Sequence, residues 1–104
     1  MNNYVLTYYD EPKFKSPEEG TKYMSKWKAW VGGLGDAMVN PGHPLKRSKV
    51  VSSGGVTDGA VSNRLTGFSV VKAGSMEAAL EMVKKCPHLE HGTVEVAEAM
   101  EMGM

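Results

Sequence analysis

Apolar residues repeat with two different periods along the chain, and each stretch with a clear period predicts one element. A segment rich in aromatic and β-branched residues, Tyr4 to Tyr9, predicts a first strand. A helix is predicted to begin at Ser16-Pro17, because a capping serine, a proline and Glu19 satisfy the free amides of a helix start. Its buried stripe consists of Tyr23, Trp27, Trp30, Val31 and Leu34.

Extended segments and one more helix are predicted in the second half of the chain. A hairpin is expected where the turn Ser53-Gly54-Gly55 joins residues 48–52 to residues 56–58. A second helix is capped by Ser75 and ends before Cys86-Pro87. Its buried face is predicted to hold Met76, Ala79, Leu80 and Val83, and the remaining strands span 65–73 and 93–100.

The order of these elements predicts one α+β domain over residues 1–104 with the ferredoxin-like βαββαβ fold, an antiparallel sheet with two helices on one face. The strands are nevertheless apolar on both faces, since Val5 adjoins Leu6 and Val70 adjoins Val71. The simplest cover for the second face is another copy of the chain. We therefore expect a homodimer, a dimeric α+β barrel with ligand clefts at its ends.

Composition excludes several classes of partner. Lys and Arg together number 12, as do Asp and Glu, so no net positive field predicts a nucleic-acid partner. No window reaches the roughly 18 apolar residues of a membrane span, and no membrane partner is expected. The single cysteine, Cys86, excludes an internal disulfide and favours a reducing, cytoplasmic location. Cys86 itself is expected to be a small buried hydrophobe.

Five short motifs follow one another at a characteristic spacing. They are Val56-Thr57-Asp58-Gly59, Leu65-Thr66-Gly67-Phe68, Ser75-Met76-Glu77-Ala78-Ala79, Cys86-Pro87-His88-Leu89 and Gly92-Thr93-Val94-Glu95-Val96. In this order they resemble the YCII-related superfamily of small bacterial proteins, in its DGPF-type branch, over nearly the whole chain. The resemblance implies a ferredoxin-like, dimeric α+β barrel.

The resemblance also implies a limited range of chemistry. Most members of the superfamily have no established reaction, and the related enzymes include a lyase that acts on a chlorinated aromatic ring. A histidine on the first helix and an aspartate after the second strand are the catalytic pair proposed for the wider superfamily. The aspartate maps to Asp58, whereas the first helix contains no histidine. Asp58-Gly59 is followed by Ala60-Val61 in place of Pro-Phe.

Two residues are candidates for catalysis. Asp58, at the end of a hairpin beside an apolar cleft, is a candidate proton acceptor, and the alternative is turn chemistry in which Gly59 adopts a positive φ. His88 is a candidate acid or base because imidazole titrates near neutral pH, and the alternative is a loop histidine that caps the second helix and donates to nearby carbonyls. His88 and His91 beside Glu90 lack a further ligand at a recognisable spacing, so no metal and no cofactor are predicted.

Five further positions are candidates for ligand binding. Trp27 is suited to stacking on an aromatic ligand and Tyr8 to hydrogen bonding, and the alternative for both is a place in the core. Lys49 is suited to binding a carboxylate or phosphate, and the alternative is a solvated loop. Glu95 either faces the barrel interior with a partner such as Lys49, Lys72 or a tyrosine hydroxyl, or lies on an edge reached by water. Gly59 completes this set.

Three functions remain open from the sequence. The first is a homodimeric small-ligand-binding α+β barrel. The second is a cofactor-free enzyme of lyase or hydrolase type that moves a proton on a small aromatic or carboxylated substrate, using Asp58. The third is an oligomerisation or regulatory module. A Met-rich tail, Met100, Met102 and Met104, either packs at the dimer interface or frays.

Overall fold

The structure, a computed structural model, describes residues 1–100. Its helices and strands follow the predicted order, with one additional short strand. Two short 3₁₀ helices, Gly35–Ala37 and Pro87–Glu90, follow the two α-helices. The elements are β1 (Asn2–Tyr9), α1 (Pro17–Leu34), β2 (Met38–Asn40), β3 (Lys49–Ser52), β4 (Gly55–Asp58), β5 (Leu65–Ala73), α2 (Met76–Val83) and β6 (Thr93–Glu98).

The main sheet has four strands in the order β2-β5-β1-β6, and all neighbouring strands are antiparallel. With α1 and α2 packed on one face, this is the ferredoxin-like arrangement of an α+β domain. Val5 of β1 is paired with Val70 of β5 on one side and with Ala97 of β6 on the other. The predicted fold class is therefore confirmed.

The position of the second strand of the sheet differs from the expectation. The predicted hairpin forms, but β3 and β4 make a separate two-stranded sheet. The strand that pairs with β5 is instead β2, a three-residue segment between a 3₁₀ helix and Pro41. So short an edge strand has no alternation that a sequence pattern can reveal, which explains why it was missed.

The core lies between the sheet and the helices because side chains of a strand alternate between its two faces. Tyr4, Leu6 and Tyr8 of β1 point to the helices and are buried, together with Val71 and Ala73 of β5. The helices contribute Trp30, Ala79 and Val83, and Cys86 fills the space after α2, as expected for a small buried hydrophobe.

Both helices begin with the predicted serine caps. Ser16 Oγ accepts a hydrogen bond from the Glu19 amide at 3.3 Å, and Ser75 Oγ accepts one from the Ala78 amide at 3.1 Å. The predicted face of α2 is wrong at one position, since Leu80 is exposed and Met82 packs against the core instead. The buried face of α2 therefore contains Ala79 and Val83, with Met82 packed beside them.

The last strand is shorter than predicted and ends at Glu98. The Ala99 amide still donates to the Asn3 carbonyl at 2.9 Å. Because β1 begins at Asn2, it offers β6 no residues for pairing much beyond Ala99. Met100 is exposed, and Met102 and Met104 of the Met-rich tail lie outside the described residues.

The second face of the sheet carries no helix within the described residues, 1–100. It is called the open sheet face below, and its side chains alternate with the buried ones along β1, β5 and β6. The protomer is accordingly a slab, with a smallest extent of 18 Å across its Cα atoms. The open sheet face consists of Val5, Thr7, Tyr9, Phe68, Val70, Lys72, Glu95 and Ala97.

Candidate functional site

A cavity of about 720 Å³ lies between α1 and the sheet, near the end of β1 and the beginning of β5. This volume is in the range of small-molecule sites. Its wall is mainly aromatic and apolar, and we call it the aromatic cavity. The side chains of its wall include Tyr8, Phe14, Tyr23, Trp27, Lys28 and His88.

Bulky rings separate α1 from the sheet. The ring of Trp27 meets the ring of Tyr8 edge-on with centroids 5.3 Å apart, and it meets Trp30 in the same manner at 5.3 Å. Trp30 Nε1 donates to the Met82 carbonyl at 3.0 Å, which ties α1 to α2 at the other end of the layer. The cavity thus results from large side chains that hold the helix away from the strands.

The floor of the aromatic cavity is fixed by a chain of hydroxyl groups. The Tyr8 hydroxyl donates to Ser69 Oγ at 2.8 Å, and the Ser69 hydroxyl donates to the Pro41 carbonyl at 2.8 Å. Burial raises the pKa of Tyr8, so its phenol stays neutral. Pro41 is followed by Gly42, whose φ is +75° and whose backbone lies so close to the Phe68 carbonyl that a Cβ would overlap it. A glycine is therefore required next to the carbonyl that accepts from Ser69.

His88 forms part of the wall and is 2% exposed. Its Nε2 lies 2.6 Å from the Tyr9 carbonyl oxygen. Because a carbonyl only accepts, Nε2 carries the proton, and Nδ1 of the neutral ring is left as an acceptor. His88 therefore donates to a carbonyl, as its alternative role predicts, but the carbonyl belongs to β1. It joins the Pro87–Glu90 helix to β1, and only the expectation that it caps α2 is wrong.

Tyr23 has the least satisfied polar group of the cavity wall. The residue is 7% exposed, and its hydroxyl is the one buried side-chain nitrogen or oxygen of residues 1–100 that has no hydrogen-bond partner. The rings of Phe14 and His91 pack against the Tyr23 ring, with their centroids 5.2 Å and 5.0 Å from its centroid. Burial raises the pKa of Tyr23, so the hydroxyl is a neutral donor.

Three of the predicted site residues lie at the base of the β3–β4 hairpin and do not line the aromatic cavity. Asp58 is exposed and forms an ion pair with Lys49 across the two strands. Gly59 donates its amide to the Ser48 carbonyl at 3.0 Å. The expected positive φ of Gly59 is wrong, and the positive φ in this hairpin belongs to Gly55, at 129°.

Glu95 lies on the open sheet face and is exposed. Its Oε1 accepts a hydrogen bond from the Tyr9 hydroxyl at 3.2 Å, so a tyrosine is the partner among those expected. Tyr9 and Glu95 are on neighbouring strands, where their side chains share one face.

The comparisons with known proteins support the fold. A solved structure of the 5-chloro-2-hydroxyhydroquinone dehydrochlorinase TftG from Burkholderia phenoliruptrix AC1100, in complex with 2,5-dihydroxybenzoquinone, is similar to this chain with a TM-score of 0.53. The two chains are 14% identical, and the alignment covers 97% of this chain and 95% of the other. At this identity, the likeness shows the fold alone. No protein-family model matches the chain, and no curated protein matches it.

The aromatic cavity brings together only part of the predicted set. Tyr8, Trp27 and His88 share its wall, whereas Lys49 and Asp58 lie on the hairpin. Sequence reasoning missed Tyr23 as a site residue because its helical spacing assigned it to the buried stripe. A buried tyrosine and a buried phenylalanine have the same spacing, so the unpaired hydroxyl was detectable only in three dimensions.

A second concavity, about 880 Å³ in volume, runs between α1 and α2. Exposed charged side chains line it, and Lys26 there forms an ion pair with Glu90 at 3.1 Å. Cys86 lies at its base, where burial raises the pKa of the thiol to about 11. The aromatic cavity is the better candidate, because its wall is aromatic and contains a buried donor without a partner.

Residues 1–100 contain neither a cluster of metal ligands nor a membrane-spanning helix. No three histidine, cysteine, aspartate or glutamate side chains are grouped there in a way that could hold a metal ion. No helix of that part of the chain is both long enough and apolar enough to span a membrane.

Proposed function

We propose that this protein is a homodimeric, small-ligand-binding α+β barrel whose ligand occupies the aromatic cavity. The observation that carries the proposal is the Tyr23 hydroxyl, which is buried at the cavity wall without a partner. A buried polar group that lacks its hydrogen bond costs about 1–3 kcal/mol. The hydroxyl is covered by its neighbours, which include the rings of Phe14 and His91, so a ligand oxygen reaches it only when one of these rings shifts. A ligand oxygen that then accepts from Tyr23 recovers this cost.

The wall of the aromatic cavity favours a flat ligand that carries oxygen atoms. Trp27, Phe14 and Tyr8 offer ring edges and faces for stacking, and Lys28 adds a cation to the same wall. A hydroxylated or carboxylated aromatic compound satisfies both features. The ligand of the TftG complex, 2,5-dihydroxybenzoquinone, is a quinone and not an aromatic ring, but it is likewise a flat six-membered ring that carries oxygen atoms, and it supports the choice.

The proposed dimer covers the open sheet face. A folded monomer of 11.3 kDa exposes about 5,700 Å². This protomer exposes 7515 Å², an excess of roughly 1,800 Å². Homodimer interfaces commonly remove on the order of 1,000–2,500 Å² from each partner, so the excess matches what a second copy would bury.

A second candidate function is a cofactor-free enzyme that moves a proton on the same class of ligand. The observation that favours it is His88, whose Nε2 is held by the Tyr9 carbonyl. The neutral ring then has Nδ1 available as a base, as the holding carbonyl fixes the tautomer. In this alternative His88 is the acid or base. Asp58 lies on the hairpin and does not line the aromatic cavity, so it could move a proton only on a ligand bound beside the hairpin.

A thermal-shift panel tests the ligand class. Hydroquinone, 2,5-dihydroxybenzoquinone and benzoate are compared with toluene, which has the ring but no oxygen. We expect the oxygenated compounds to raise the melting temperature and toluene to raise it less, because only the former can accept from Tyr23. No shift with any compound contradicts the proposal and favours an oligomerisation or regulatory module.

Turnover separates the two candidate functions. Consumption of a stabilising compound, followed by its absorbance, supports the enzyme if His88→Gln abolishes it while binding persists. Binding without consumption supports the ligand-binding function.

A further inference from the structure

The β3–β4 hairpin, which we call the arm, is a sheet against which no other element of residues 1–100 packs. Every residue of Lys49–Ser52 and Gly55–Asp58 is exposed. Val51 and Val56 face each other across the two strands and are 76% and 65% exposed. A two-stranded hairpin by itself is marginally stable in water. The arm therefore requires a surface that the protomer does not provide.

The arm extends the protomer beyond the size of a compact domain. The radius of gyration is 15.1 Å, whereas about 13 Å is typical of a chain of this length. The arm leaves the body beside the first half of β5, where the Leu45 amide donates to the Thr66 carbonyl at 2.9 Å. It thus starts on the β2 side of the sheet.

The opposite side of the sheet ends in β6, which has a free edge. Ala99 donates to Asn3, so this pair is of the hydrogen-bonded kind, and such pairs alternate along an antiparallel ladder. The backbone groups of Val94, Val96 and Glu98 consequently point away from β1. They form an unpaired strand edge to which an extended segment can add.

Two-fold symmetry brings these two unpartnered features together. When two open sheet faces pack about an axis parallel to the strands, the β2 side of one copy lies over the β6 side of the other. The charges also match, because the root of the arm carries Lys46 and Arg47 while β6 carries Glu95 and Glu98.

We propose that the arm of each protomer docks along β6 of a second copy of this chain, so that the dimer exchanges two arms. This arrangement buries Val51 and Val56 and gives the free edge of β6 a partner. The arm docking rests on the proposed homodimer. It adds to that dimer the contact surface that determines its dissociation constant.

Charge substitutions in the arm test this proposal. The double variant Val51→Lys and Val56→Lys replaces exposed side chains, so its circular dichroism spectrum should match that of the unaltered protein. Sedimentation velocity over a concentration series should show a dimer dissociation constant at least tenfold higher. The control is Val61→Lys, which changes a valine outside the arm that is still more exposed, at 97%, and should leave the constant unchanged.

Crosslinking in trans tests the docking site itself. Val51→Cys on a tagged chain is mixed with Glu98→Cys on an untagged chain and treated with a short bismaleimide. A mixed tagged-untagged product is expected, and Glu77→Cys, on the exposed surface of α2, should give none. A dimer that keeps its strength in the double variant and gives no mixed product overturns the arm docking but leaves the proposed dimer intact. A monomeric unaltered protein overturns both.

Discussion

Nε2 of His88 lies 2.6 Å from the carbonyl oxygen of Tyr9, and this contact joins the segment after α2 to the end of β1. Gly92 permits it, because a Cβ at that position would lie 2.0 Å from the Tyr9 oxygen and 2.9 Å from His88 Nε2. Gly92→Ala should therefore lower the free energy of unfolding by about 2–3 kcal/mol. Urea denaturation followed by tryptophan fluorescence measures the change.

Gly74→Ala provides the matched control for that substitution. A Cβ at Gly74 meets nothing within 4 Å, and its φ is not positive. The free energy of unfolding should change by about 0.5 kcal/mol or less. An equal effect at both glycines would show that the His88 contact does not depend on Gly92.

The hydroxyl chain at the floor of the aromatic cavity should behave as one unit. Ser69→Ala leaves the Tyr8 hydroxyl without its acceptor and the Pro41 carbonyl without its donor. We expect a loss of about 1–3 kcal/mol in the free energy of unfolding, measured in urea. Tyr8→Phe combined with Ser69→Ala should cost less than the sum of the two single changes. Strict additivity would contradict a shared chain.

Stability should fall in alkali because of Cys86. Burial raises the pKa of this thiol from 9.0 to about 11. Between these values the unfolded chain has lost the proton that the folded chain keeps, so the free energy of unfolding decreases as pH rises. The full effect approaches about 3 kcal/mol. Denaturation curves at closely spaced pH values provide the measurement.

Cys86→Ala isolates that contribution. Burial also raises the pKa of Tyr8 and of Tyr23, and these two add to the alkaline loss only as tyrosine ionises in the unfolded chain, around pH 10. The variant should therefore have a flatter stability profile between pH 9 and pH 10, whatever its stability near neutral pH. An unchanged slope in this window would exclude Cys86 as the cause.

Asp58 should be dispensable for both stability and binding. Its ion pair with Lys49 is exposed, and such pairs contribute about 1 kcal/mol or less. Asp58→Asn should thus leave the melting temperature nearly unchanged and the ligand affinity the same, with exposed Asp36→Asn as its control. If Asp58→Asn alone abolished turnover of a bound compound, the enzyme that uses Asp58 would be the correct alternative.

The parts of the fold that the sequence predicted are those with strong local signals. The serine caps at Ser16 and Ser75 and the alternation along β5 each act over a few neighbouring residues. β2 was not predicted because three residues are too few to show an alternation and because its pairing with β5 joins residues far apart in the chain. The separate position of the arm is likewise a tertiary property.

The candidate site was predictable only in its aromatic members. Tyr8 and Trp27 were recognised because large rings near a cleft commonly contact ligands. The role of Tyr23 depends on what its hydroxyl fails to contact, and no pattern of residue types encodes this. His88 was identified as a titratable residue, but its carbonyl partner Tyr9 is 79 positions away.

Calorimetric titration of Tyr23→Phe with 2,5-dihydroxybenzoquinone tests the central claim most directly. Removing an unpartnered buried hydroxyl should raise the free energy of unfolding by about 1 kcal/mol, while the lost hydrogen bond should weaken binding about tenfold. Tyr9→Phe, which removes a hydroxyl on the open sheet face, should leave the affinity unchanged. Equal affinities in Tyr23→Phe and the unaltered protein would contradict the account.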